Sequence, residues 1–141
     1  MINKLDFHAD DYGISKNSCD DIFALIKEDS LNSISILPNM ENFSYGVDLL
    51  NTMQEQQRKK LNISIHLNFM EGKCCCNPKL IPDLTDEKGY FTVSWKKLFL
   101  WNYNPLKKRK IIHQIECEIE AQTKKCLDSG LFKNTKLRYE S

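Results

Sequence analysis

Three short stretches of this chain alternate apolar and polar residues: Leu5-Asp6-Phe7-His8-Ala9-Asp10, Ser33-Ile34-Ser35-Ile36-Leu37 and Asn62-Ile63-Ser64-Ile65-His66-Leu67. A period of two is the mark of a strand with two different faces. Between the first and second, Ser15 or Asn17 can cap a helix whose Ile22, Leu25 and Ile26 share one stripe. Ser30-Leu31-Asn32 breaks it. Between the second and third, Val47, Leu50 and Met53 mark another helix, running to about Lys60. The unit is β-α-β-α-β. Crossovers of this length carry a helix, so the strands are expected to be parallel and the crossovers right-handed.

The two strand faces differ in a way that narrows the fold further. Leu5, Phe7 and Ala9 share a face, as do Ile34 and Ile36, and Ile63, Ile65 and Leu67. These faces are expected under the helices. The opposite faces read Asp6-His8-Asp10, Ser33-Ser35 and Asn62-Ser64-His66. A parallel sheet covered on both sides by helices is apolar on both faces. A shared polar face suits the inside of a β/α barrel, where polar groups converge at the C-terminal ends of the strands.

Residues 68–93 read as loop, with Pro78, Pro82 and Gly89. A connection of about 25 residues is long enough to suggest a lid or a disordered segment. Within it, Lys88-Gly89-Tyr90-Phe91-Thr92-Val93 can form a short hairpin arm. Ser94 can cap a short helix carrying Trp95, Leu98 and Phe99. A longer helix is expected from about Leu106 to Ser129, anchored by Ile111, Ile112, Ile115, Ile119 and Leu127 and stopped by Gly130. Residues 135–139 can begin a fourth strand.

The 141 residues suffice for one domain, taken as residues 1–141. A net charge of +1 gives no global field toward nucleic acid or membrane. Lys107-Lys108-Arg109-Lys110 reads as a solvated helix face rather than a phosphate patch. No apolar stretch reaches the ~18 residues of a membrane span, and Met1-Ile2-Asn3-Lys4 lacks the apolar core of a signal peptide. A cytoplasmic protein is expected. The six cysteines include three in a row and no C-x-x-C pair, so free thiols are expected.

The chemistry gathers at His8-Ala9-Asp10-Asp11-Tyr12-Gly13 and at Ile65-His66-Leu67-Asn68. Asp10 and Asp11 cannot both face inward from a straight strand, but a turning strand end frees both. One carboxylate can then hold a divalent ion while its neighbour takes a proton from water that the ion has made acidic. Asp11 is assigned to the metal and Asp10 to the base, with His66 as a second ligand. The plain alternative is that the aspartates form a turn and His66 a structural hydrogen bond. His8 shares a face with Asp10 and can orient it or approach the ion. Asn39 and Asn68 lie at the same sheet end, where they can donate to a polar substrate or shape their loops. His113, on the long helix, is read as structural.

The string from His8 to Ser15 resembles the N-terminal motif of the YdjC-like carbohydrate deacetylases, relatives of chitooligosaccharide deacetylase. Further segments agree in order: Ser33 to Asn39, Ile65 to Asn68, Gly89-Tyr90-Phe91, Ser94 to Phe99, and the helix with Gln114-Ile115-Glu116 and Glu118 to Gln122. The resemblance spans essentially the whole chain. It implies an α/β fold, the N-terminal half of a distorted β/α barrel with parallel strands. It implies one divalent metal, Mg²⁺ or Zn²⁺, both of which suit carboxylate and imidazole donors. It implies hydrolysis of the acetamide bond of N-acetylated mono- or oligosaccharides, with Asp10 as base and Asp11 and His66 as ligands.

The family pattern continues into an Asp-Ser-His-type motif that supplies another histidine ligand. Lys136-Leu137-Arg138 resembles the approach to it, but Tyr139-Glu140-Ser141 does not match. On this resemblance the chain is a truncated domain, without the third ligand, a later general acid and half the pocket. Its open strand edges and uncovered apolar surface lead to an expected homo-oligomer. The alternative functions are a non-catalytic oligomerising or sugar-binding remnant, and a metal-dependent hydrolase of another substrate on the same barrel.

Overall fold

A computed structural model describes residues 5–132 and, for the backbone, residues 139–140. Four parallel strands form its sheet: β1 (His8–Tyr12), β2 (Ser33–Ile36), β3 (Asn62–His66) and β4 (Tyr139–Glu140), in the order β1-β2-β3-β4. The order follows the chain without reversal. A doubly wound sheet reverses at a switch point, whereas a β/α barrel winds in one direction. Among the described residues the sheet is open, with β1 and β4 at its edges. Residues 135–138, expected to begin the fourth strand, lie outside the described residues.

β1 starts later than the alternation of residues 5–10 suggests. Leu5 and Phe7 are 72% and 57% exposed, not packed under helices. The reason is local. β2 begins only at Ser33, so residues 5–7 find no strand to pair with. Asn32 substitutes for one: its Oδ1 accepts from the Phe7 amide (2.9 Å) and its Nδ2 donates to the Leu5 carbonyl (2.9 Å).

Helix α1 (Lys16–Lys27) is capped by Ser15, whose Oγ accepts from the Ser18 amide at 3.1 Å. The second helix ends early and restarts as α2 (Phe43–Asn51) and α3 (Glu55–Arg58) rather than running unbroken to Lys60. The Thr52 hydroxyl donates back to the Leu49 carbonyl at 2.6 Å, and Gln54 turns extended. Such back-bonding competes with helix continuation. Ile26, Ile34, Ile36, Phe43, Leu50, Ile63 and Ile65 form the main core between these helices and the sheet. That core bears out the helix-facing side of β2 and β3.

On the polar face of β2 and β3 the serines are closed to water, while Asn62 is exposed and His66 partly so. Ser33, Ser35 and Ser64 are all buried. Their small hydroxyls are satisfied nearby, as where Ser64 Oγ donates to the Ile34 carbonyl at 3.1 Å.

Residues 68–93 are neither a loose lid nor a disordered loop. They build a second core, Ile81, Leu84, Phe91 and Val93 with Ile111. Isolated antiparallel bridges, Lys73 with Tyr90 and Thr85 with Phe91, tie the segment together. Beyond it lie α4 (Trp95–Asn102) and α5 (Pro105–Asp128). Helix α5 differs from its expected face: Ile112 and Leu127 are exposed, while Gln114, Glu118 and Gln122 are buried beside Ile111 and Cys126. These polar side chains satisfy backbone of the long segment. Gln114 Oε1 accepts from the Asp83 amide (3.0 Å), and Glu118 accepts from the amides of Cys75 (2.8 Å) and Cys76 (3.0 Å). Gln122 accepts from the Asn68 amide (3.1 Å) and donates to its carbonyl (2.6 Å). A connection that carries its own polar backbone inward needs such acceptors.

The basic run at the start of α5 is partly structural. Lys107 and Lys110 both pair with Asp83, the latter at 2.8 Å. Burial alone would raise the Asp83 carboxyl, but hydrogen bonds from Lys107, Lys110 and Gln114 outweigh it and hold the group well below the usual carboxylate range. All six cysteines are free thiols. Burial pushes Cys75 and Cys126 up to about 12, so neither is a ready nucleophile. No helix among the described residues is long and apolar enough to cross a membrane.

Candidate active site

The two aspartates reach one side of the sheet because β1 carries a bulge. Ala9 pairs with Ile34 and Tyr12 with Ile36, so Asp10 and Asp11 together stand opposite Ser35. An extra residue in a strand re-aims the side chains around it. Asp11 sits in the left-handed region, φ 61°, a conformation that aspartate tolerates better than most side chains. Gly13, φ 106°, completes the turn, and an added Cβ there would lie 3.3 Å from the Leu37 carbonyl oxygen. Tyr12 anchors the bulge from below: fully buried, it donates from its hydroxyl to the Gly46 carbonyl at 3.1 Å.

Three strand ends then meet. Asp11 Oδ1 lies 3.3 Å from His66 Nδ1. Ser35 Oγ donates to Asp10 Oδ1 at 2.8 Å and lies 3.3 Å from His66 Nδ1. His8 Nε2 lies 3.2 Å from the same Asp10 oxygen, and His8 Nδ1 lies 2.6 Å from Ser33 Oγ. The Ser35 hydrogen bond, helped by the nearby His8 and His66 rings, outweighs partial burial and holds the Asp10 carboxyl below its ordinary value. Asp10, Asp11, His66 and His8 are therefore brought together. Ser33 and Ser35 complete the group, though sequence reasoning gave them no site role. Their signal was available: both lie on the polar face of β2, one on each side of Ile34.

Asn39 and Asn68 are also near each other, but their amides are engaged with the chain. Asn39 Nδ2 donates to the Glu71 carbonyl (2.8 Å), as does Asn68 Nδ2 (3.1 Å), and Asn68 Nδ2 reaches Asn39 Oδ1 at 3.3 Å. Of the two roles open to them, this geometry favours shaping residues 68–71 at the site's rim. His113 stands apart on α5, largely exposed and 3.7 Å from Glu116.

The Asp11 and His66 atoms have a spacing that two donors of one cation can keep, since zinc–oxygen and zinc–nitrogen distances are each ~2.1 Å. Carboxylate oxygen and imidazole nitrogen suit a hard or borderline divalent ion. Among the described residues, no group of three or more histidine, cysteine or acidic side chains could hold a metal. The chain thus offers two donors with a hydrogen-bonded carboxylate beside them.

The parallel strands follow one another in chain order, and Asp10, Asp11 and His66 gather toward their C-terminal ends. The chain belongs to the YdjC-like protein family, whose model matches residues 4–132. It is 28% identical over 124 residues to a carbohydrate deacetylase of Thermoanaerobacter pseudethanolicus, covering 88% of this chain and 45% of that protein. It is 29% identical over 133 residues to a carbohydrate deacetylase of Listeria monocytogenes, covering 91% and 47%. Among solved structures it is similar to a candidate cellobiose-phosphate cleavage protein of Enterococcus faecalis. That match has a TM-score of 0.68 at 21% identity and covers 96% of this chain and 48% of the other. The chain spans about half the length of the curated relatives it matches.

Proposed function

We propose that this chain carries the base and two metal ligands of a deacetylase acting on N-acetylated mono- or oligosaccharides, on one part of a β/α barrel. The observation that carries the reading is the meeting of Asp10, Asp11 and His66 at the strand ends of a chain whose relatives are named carbohydrate deacetylases. Asp11 and His66 would hold one Mg²⁺ or Zn²⁺ ion, which when bound supplies Lewis-acid activation of water and of the acyl oxygen. Asp10 accepts a proton from the water that attacks the acetamide carbonyl. Like any ordinary carboxylate it is ionised at neutral pH, and the Ser35 hydrogen bond lowers its pKa further. Ser35 links the base to His66 and fixes the spacing between them.

The open edge of β1 and the exposed Trp95, Phe99, Leu100 and Tyr103 support association with further copies of the chain. Light scattering after size-exclusion chromatography should give a dimer or larger; a compact monomer at high dilution opposes this. Six free thiols agree with a reducing, cytoplasmic setting. The deacetylase reading is tested by acetate release from N-acetylglucosamine oligomers after loading with Mg²⁺ or Zn²⁺. Release that Asp10→Asn abolishes supports it; release unchanged in that variant overturns the assignment of the base.

A further inference from the structure

Gln122 is fully buried on α5, and its amide group holds a single residue beside the site from both sides. Oε1 accepts from the Asn68 amide at 3.1 Å, and Nε2 donates to the Asn68 carbonyl at 2.6 Å. Nε2 also donates to Glu118 Oε1 at 2.9 Å. A backbone N–H only donates and a carbonyl only accepts, so the group fits one way round. A flip would set NH₂ against N–H and oxygen against oxygen.

A side-chain amide bonded to both main-chain groups of one residue does what a neighbouring strand does in a sheet. β3 pairs with β2 as far as Ile65 and with β4 as far as His66. Asn68 lies two residues further on, beyond that pairing, and Gln122 serves there in place of a strand. From this fixed point the chain folds over the strand ends. Asn68 Oδ1 accepts from the Met70 amide at 3.0 Å. Asn68 Nδ2 and Asn39 Nδ2 both donate to the Glu71 carbonyl, at 3.1 and 2.8 Å. Asn39 is itself buried and follows the end of β2. A chain of amides therefore runs from α5 through Asn68 to the ends of β3 and β2, where Asp10, Asp11 and His66 gather.

We infer that Gln122 is a positioning residue for substrate binding: through Asn68 it holds residues 68–71 as a fixed wall of the site, against which the sugar docks. This rests on the reading of the site as one for N-acetylated sugars. A wall that is ordered before substrate arrives has no ordering cost left when substrate binds. A wall ordered only about a tenth of the time would weaken apparent binding about tenfold. Asp10 and His66 are linked through Ser35 and not through Gln122, so the turnover of bound substrate should change little.

Gln122→Met keeps the length of the side chain and removes all three hydrogen bonds. An N-acetylglucosamine oligomer, titrated into the whole ¹⁵N-labelled chain, should bind about tenfold more weakly to this variant than to wild type. Hydrogen exchange should show the Asn68, Met70 and Glu71 amides losing protection while those of β2 keep theirs. In acetate release by the Zn²⁺-loaded chain, KM should rise about tenfold with kcat nearly unchanged, the pattern of lost binding rather than lost chemistry. Equal oligomer affinity in the two proteins, a fall in kcat at constant KM, or a loss of protection that spreads to β2 overturns the inference. If the variant does not fold, wild type decides the matter. A scalar coupling across the hydrogen bond, between Asn68 ¹⁵N and Gln122 ¹³Cδ, should be visible, and the amides of residues 68–71 should shift when the oligomer is added. Absence of either overturns the inference. A wild-type chain that binds the oligomer but releases no acetate counts against the deacetylase reading alone; one that does not bind it overturns the inference as well.

Discussion

Replacing Glu118 by glutamine keeps shape and volume almost unchanged, yet it should loosen the whole segment between β3 and α4. Glu118 is fully buried on α5 and accepts three hydrogen bonds, from the amides of Cys75 (2.8 Å) and Cys76 (3.0 Å) and from Gln122 Nε2 (2.9 Å). A carboxylate has two acceptor oxygens. Glutamine has one, so its own NH₂ must face one of those donors. One hydrogen bond to a charged group is lost, at ~1.5–3 kcal/mol, and a buried N–H is left without a partner, at ~1–3 kcal/mol. These costs overlap, so the expected destabilisation is about 2–4 kcal/mol. With a urea slope of ~2 kcal/mol per molar, the middle of the usual range, the midpoint should fall by roughly 1–2 M. The exposed Glu120→Gln should stay within ~0.5 kcal/mol of wild type. Hydrogen exchange localises the effect, since the Cys75 and Cys76 amides should lose protection first. A Glu118→Gln protein as stable as wild type, or one in which those two amides stay protected, refutes the reasoning.

Gly46→Ala in α2 should destabilise the protein by ~1–3 kcal/mol through overpacking, against the usual gain from removing a helix glycine, because the new methyl would lie 2.6 Å from Cε1 of the buried Tyr12 ring. Calorimetry would show a raised Tm if the ring gives way. The lowered Asp83 carboxyl means that the unfolded chain binds the proton more readily than the folded one, so stability rises with pH across that interval. This contribution is fully present above the ordinary carboxylate value of ~4 and fades as pH falls below it. Asp83→Asn should therefore be less stable than wild type near neutrality, with the gap in urea midpoint closing toward about pH 3; a constant gap opposes the assignment.

The alternation of Ile34, Ile36, Ile63 and Ile65 was enough to establish the strands and their helix-facing core, and the length of the crossovers to make them parallel. The same alternation misplaced Leu5 and Phe7, because it reports period and not whether a partner strand extends far enough. It would also have sent Asp10 and Asp11 to opposite faces of a regular strand. Their meeting depends on a bulge and on the left-handed backbone of Asp11, which no periodicity announces, although an adjacent Asp-Asp before glycine hints at a turn. Ser33 and Ser35 were legible as polar-face residues, but only the register with His8 and His66 shows what they hold. Helix α5 was the most deceptive element. Gln114, Glu118 and Gln122 look like solvent positions, and they are inside because a distant segment brings its unpaired amides to them. Non-local backbone demand of that kind leaves no trace in local composition. Lys107 and Lys110 show the same limit, since their partner Asp83 lies across the long connection.

The central claim is that Asp11 and His66 grip one cation while Asp10 beside them does not. Isothermal titration of Zn²⁺ into the wild-type chain and into Asp10→Asn, Asp11→Asn and His66→Gln tests it directly. The account predicts one ion per chain for wild type and Asp10→Asn, with binding lost or sharply weakened in the other two. Undiminished binding in Asp11→Asn and His66→Gln, or loss confined to Asp10→Asn, would contradict it.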